Sequence, residues 1–171
     1  MENAENLAAV VQEVESHISA AGWDQPIRLF AVVSTAEVIA SEPELAAELN
    51  LSDSLPLTSI EQELSATQNL EELLATIAWP ENVLGAILAI ERIVLPLDAQ
   101  SQLPGEEDPD WLAEVSNHPD RRDVRIISAV MRNGENLNAL RYRDHDEPSS
   151  VAIAPNLVVN LNESLLATFS D

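Results

Sequence analysis

Apolar residues along the first quarter of the chain fall first at helical and then at strand spacing. Leu7, Val10, Val11, Val14, Ile18 and Ala21 form one stripe and predict a helix over 4–21. Gly22 stands where a left-handed C-cap is wanted, with Trp23 able to fold back on Ile18. After the Asp24-Gln25-Pro26 turn, the β-branched and aromatic run Ile27–Val33 predicts a strand over 27–33. Ser34 with Glu37, and Ser41 with Glu44, match the reciprocal capping pattern and predict two short helices within 35–49, near 35–41 and 42–49. Asn69 with Glu72 repeats the device. Leu70, Leu73, Leu74 and Ile77 then give a helix over 70–78 that Trp79-Pro80 stops. Residues 50–68 fit neither periodicity.

From 83 to 95 both alternating sets of positions are apolar, which predicts a central strand covered on both faces. Residues 97–122 carry the acids Glu106, Glu107 and Asp108 and prolines 104, 109 and 119, with one short helix expected from Asp108-Pro109 through Val115. Asn133-Gly134 joins Val124–Arg132 to Leu137–Arg143, a predicted antiparallel hairpin over 124–143. Asn160 with Glu163 precedes a terminal helix over 161–169 whose face is Leu161, Leu165, Leu166 and Phe169. The order predicts one α+β domain over 1–171, a twisted antiparallel or mixed sheet of four to five strands with helices packed mainly on one face.

A tight two-residue turn at Asn133-Gly134 sets the hairpin faces. It places Val124 and Ile126 with Arg141 and Arg143, and Arg125, Ile127, Ala129 and Met131 with Leu140 and Tyr142. The second face is the more apolar and is expected against the core. Arg132, Arg141 and Arg143 then project from the other face beside Ile126 and Val130, a mixed basic and apolar surface suited to another protein or a second copy of the chain. The plainer alternative is that these arginines pair with the protein's own acids.

Composition narrows the field of functions. The 171 residues carry a net charge of −22 with no cysteine. That excludes a disulfide framework and thiolate chemistry, and argues against phosphate-mediated nucleic-acid binding. All eight bases are arginine, and six of them fall within 121–143. The acidic opening Met1-Glu2-Asn3-Ala4-Glu5 and the absence of any long apolar run predict neither a leader nor a membrane span, hence a cytoplasmic protein.

Catalytic chemistry is not assembled anywhere in the sequence. Glycine-rich phosphate loops and a Gly-x-Ser-x-Gly elbow are both missing, so no catalytic residue and no cofactor are assigned. One set has metal-ligand chemistry: His118 and Asp120 before the hairpin, His145 and Asp146 after it, which hairpin pairing brings towards each other. An ion there would support a metal-dependent hydrolase, although neither segment spaces two histidines on one helical face.

Several words of the sequence resemble an uncharacterised actinobacterial family of small acidic proteins, a domain of unknown function. They are Gly22-Trp23-Asp24-Gln25-Pro26 with Arg28-Leu29-Phe30, Ala78-Trp79-Pro80, Glu91-Arg92 with Leu95-Pro96, His118-Pro119-Asp120-Arg121-Arg122, Ala139-Leu140-Arg141 and Arg143-Asp144-His145-Asp146. The resemblance spans nearly the whole chain and implies one domain in a cytoplasmic setting, with no activity attached. The leading expectation is a non-enzymatic protein-binding protein, adaptor or chaperone-like, whose arginine hairpin contacts another protein or a second copy in a homodimer. The metal-dependent hydrolase is the alternative, and an acidic nucleic-acid mimic the third.

Overall fold

The doubly apolar segment 83–95 becomes the middle of a sheet because neither of its faces tolerates water. In the computed structural model, which describes residues 2–48, 56–62, 70–94, 122–147 and 150–169, it forms β3 (Val83–Val94). The other strands are β1 (Arg28–Ser34), β2 (Leu57–Gln62), β4 (Arg122–Met131), β5 (Asn136–Tyr142) and β6 (Ala152–Ala154). The helices are α1 (Glu2–Ala20), α2 (Thr35–Ser41), α3 (Pro43–Glu48), α4 (Leu70–Thr76) and α5 (Val159–Leu166), with 3₁₀ turns at Arg143–His145 and Ala167–Phe169.

The six strands run antiparallel in the order β2-β1-β3-β4-β5-β6. The fold is therefore α+β with an open antiparallel sheet, and two edge strands extend the expected four or five. β2 arises inside the unassigned 50–68 stretch, and β6 is only three residues long. Short or half-polar edge strands such as these limit pairing with other chains.

Among the described residues, helices α2–α5 pack on one face of the sheet, as expected of helices mainly on one side, and α1 covers the other. Leu7, Val10, Val11, Val14 and Ile18 of α1 pack on Phe30, Val32, Ile87, Ala89, Ile127, Ala129 and Ala139. The opposite row, Leu29, Ala86, Leu88, Ile90 and Val130, meets Leu165 of α5 with Leu70 and Leu74 of α4. A third cluster seats Val38 and Ala46 of α2 and α3 on Ala31, Val33 and Val83. The cause lies in β3, whose two apolar sets each need a cover.

Helix starts differ from the capping patterns in two places. Ser34 caps α2, its Oγ accepting from Glu37 N at 3.4 Å. Ser41, expected to cap α3, is instead the last residue of α2 and donates its hydroxyl to Glu37 O. Asn160 lies within α5, which starts at Val159 with no side-chain cap. Asn69 and the short helix expected at 108–115 lie outside the described residues.

Candidate functional site

The hairpin turn decides where the arginines point. Met131 N donates to Glu135 O at 2.8 Å and Gly134 N to Met131 O at 2.9 Å, closing a three-residue loop Arg132-Asn133-Gly134 with Gly134 at φ +99°. Glycine takes that left-handed position without a Cβ clash. One residue more than the two-residue turn shifts the register, so Arg125 lies opposite Arg141 and Ile126 opposite Leu140. A single-residue slip turns every β5 side chain to the other face. The expected faces are corrected accordingly: Arg141 points at α1, whereas Leu140 and Tyr142 share the face of Val124, Ile126 and Val130.

Arg141 is consequently sealed beneath α1. Its Nη2 and Nε donate to the two carboxylate oxygens of Glu15 at 2.6 and 3.1 Å, and its Nη1 to Asp146 at 2.9 Å. The Arg141 and Glu15 side chains are 7% and 6% exposed. Burial works against the Arg141 charge, but the hydrogen bonds to Glu15 and Asp146 hold it above the ordinary arginine value. Directly across the ladder Arg125 is buried too, which lowers its affinity for the proton, while Glu91 at 3.7 Å opposes that effect. Its guanidinium donates to Ser19 Oγ at 3.0 Å and to the Gly22 carbonyl, and lies 4.4 Å from the Trp23 ring.

Resemblance words from distant parts of the chain meet in this seam. Glu91 accepts from the backbone N–H groups of Asp24 and Gln25 at 2.9 and 3.0 Å, and Trp23 Nε1 donates to Asp146 at 3.0 Å. The arrangement clips the Gly22–Pro26 turn onto the sheet. Bonds from Arg141, then from Trp23, hold the Asp146 carboxyl below the usual aspartate range.

The remaining predicted residues separate. Arg143 is exposed and pairs with Asp24 at 3.0 Å and Asp123 at 3.4 Å. Arg132 lies in the loop at the other end of the hairpin, donating to Val83 O and Pro80 O with its guanidinium 4.8 Å from the Phe169 ring centroid. Val130 is buried under α5. The arginines thus share no common outward face. For the metal set, His118, Asp120 and the side chain of His145 lie outside the described residues, and Asp146 serves the seam. Among the described residues, no three histidines and acids are grouped to hold an ion.

Ile126 leads to a second feature. It lines an open groove of about 710 Å³ between α4 and the start of α5, with Leu70, Leu74, Ile90, Leu157, Val159 and Leu161 as apolar lining and Arg92 at its margin. Leu157 and Val159 are 41% and 47% exposed. Both stand on a fixed backbone. Asn138, buried in β5, accepts from the N–H groups of Leu157 and Val158 at 2.9 and 3.2 Å and exchanges amide hydrogen bonds with Asn162 of α5. Ser128 donates to the same Asn162 oxygen at 2.6 Å. This satisfied buried network fixes the groove rim before anything binds. Sequence reasoning missed the groove because its walls come from residues far apart in the chain. The one local sign is a pair of large apolar residues, Leu157 just ahead of α5 and Val159 at its first position.

No helix among the described residues is long and apolar enough to cross a membrane. Neither a curated protein nor a solved structure showed significant similarity to the chain. The PPA1309-like protein family, an uncharacterised one, matches over residues 7–170, which takes in every strand, the seam and the groove. The chain belongs to the PPA1309-like protein family.

Proposed function

We propose that the chain is a non-enzymatic, cytoplasmic binding protein, adaptor or chaperone-like, and that the α4–α5 groove takes up an apolar segment of a partner protein. The supporting observation is that Leu157 and Val159 are held half-exposed by the Asn138 network. Exposed apolar side chains on a rigid rim reduce the ordering cost of association. A groove of this size, with a sheet floor and helical walls, suits the apolar face of a docked helix. In this reading Ile126 stays among the partner-contacting residues, whereas Arg132 and Arg141 support the fold.

Affinity capture with paired baits tests the reading. The doubly substituted Leu157→Asp/Val159→Asp bait is expected to lose a protein that the wild type and Arg143→Glu both retain, and the loss must recur with that protein purified. Equal retention by all three baits, or loss confined to Arg143→Glu, would overturn it. Sedimentation of the purified chain identifies a second copy as the partner if the same aspartates abolish self-association.

A further inference from the structure

We infer that the segment taken up by the groove is acidic as well as apolar, and that Arg92 selects it by pairing with a carboxylate. The inference rests on the groove reading and adds the chemistry of the occupant. In a chain with 30 acids and eight arginines, an arginine without an acidic partner stands out. Arg28, Arg122, Arg125, Arg141 and Arg143 each meet a carboxylate of the chain, and Arg132 is held by two carbonyls and the Phe169 ring. Among the described residues, Arg92 has only one hydrogen bond, from Nη1 to Glu91 O at 3.3 Å.

Its place in the ladder explains why. Glu91 points to the α1 face and is used by Arg125 and the Gly22–Pro26 turn, so the next residue of β3 projects to the opposite face, in the row of Leu88 and Ile90. Arg92 is therefore the one charged side chain lining the groove among the described residues, with Asn160 and Ser164 as its polar companions. A guanidinium grips a carboxylate through two parallel hydrogen bonds, and apolar neighbours strengthen the pairing by excluding water.

The charge of the whole chain points the other way, since a body at −22 attracts basic partners. Distance settles the competition. At about 0.15 M salt, charges beyond about 8 Å are largely screened, so the contact at Arg92 outweighs the distant acids once a segment is seated. Acidic apolar segments are thus bound in spite of the body's sign, and their association rate rises with added salt as repulsion is screened.

A random dodecapeptide library displayed on phage and selected on the purified chain tests this. The expected peptides combine Leu, Ile, Val or Phe with Asp or Glu, and lose binding to Leu157→Asp/Val159→Asp. Replacing the acid of a selected peptide by its amide should weaken binding about tenfold or more on the wild type and leave it unchanged on Arg92→Gln. Arg92→Glu should turn the selection towards Lys and Arg. Because Arg92 is exposed, these substitutions leave the fold intact. Selection of basic or uncharged apolar peptides that still require Leu157 and Val159 would overturn the role of Arg92 and leave the groove reading standing. Peptides whose binding ignores those two residues, or no enrichment at all, would overturn both.

Discussion

Replacing Arg141 by methionine removes a charge from the seam and leaves Glu15 buried with the Ser19 hydroxyl, at 2.7 Å, as its remaining hydrogen-bond partner among the described residues, and with Arg125 acting on it through the field alone. Breaking a buried pair in this one-sided way costs about 3–5 kcal/mol, since the surviving carboxylate loses its hydrogen-bonded counter-charge and cannot regain full hydration. We place Arg141→Met at the lower end, about 3 kcal/mol, because the end of α1 can relax towards solvent. With a urea dependence of about 2 kcal/mol per molar, the unfolding midpoint should fall by about 1.5 M. Glu15→Leu/Arg141→Met is the informative companion. Both charges then leave together, the site adjoins Val11, Val14 and Ala139, and stability should return to within about 1 kcal/mol of the wild type. Urea unfolding followed by tryptophan fluorescence and circular dichroism reads both effects. A loss below about 1 kcal/mol for the single variant, or strictly additive losses in the double, would refute the burial of this pair. The Arg143–Asp24 pair, 43% and 76% exposed, supplies the control: Arg143→Ala should leave the midpoint unmoved.

Asp146 makes stability depend on acid. Its folded pKa is depressed by Arg141 and Trp23, so its contribution is complete above the unfolded value of about 4 and is lost as pH falls through the folded value. Asp146→Asn should therefore be less stable than the wild type at pH 7, with the gap closing below about pH 4 in parallel urea titrations. Gly85→Ala should cost more than an ordinary strand substitution, because the new Cβ would lie 2.5 Å from the Val130 carbonyl oxygen and 2.7 Å from Met131 Sδ. Part of that obstruction is backbone, and a midpoint within error of wild type would contradict the β3–β4 register. Asn138→Ala leaves the N–H groups of Leu157 and Val158 without their acceptor, and should cost about 1–3 kcal/mol with faster hydrogen exchange confined to the start of α5.

The amphipathic stripe of α1 and the all-apolar β3 were legible because each is long and strongly periodic. Two opposed apolar sets in β3 already required cover on both sides, so the helices on both faces follow from the same residues that placed the strand at the centre. β2 and β6 escaped because Leu57–Gln62 is short and half polar, and Ala152–Ala154 has no pattern to read. The hairpin itself was evident from Asn133-Gly134, yet its faces turned on a single residue of loop length. One signal bears on that choice. Arg125 and Arg141 each interrupt an apolar row, and Glu15 and Glu91 interrupt others, a set of opposite charges that makes sense together only when all four face α1. The groove left almost no trace in the sequence because its walls, from Leu74 to Ile126 to Leu157, are joined only by folding.

In the proposed division of labour the arginines of the hairpin serve the fold and the α4–α5 groove binds the partner. Amide chemical-shift mapping of the isotopically labelled chain with a captured partner segment tests it most directly. Perturbed amides are expected along α4, at Ile90–Arg92, around Ile126 and through Leu157–Leu161, with Glu15, Arg141 and the Gly22–Pro26 turn unmoved. Shifts centred instead on Arg122, Arg143 and the Arg132–Gly134 loop, with the groove silent, would contradict it.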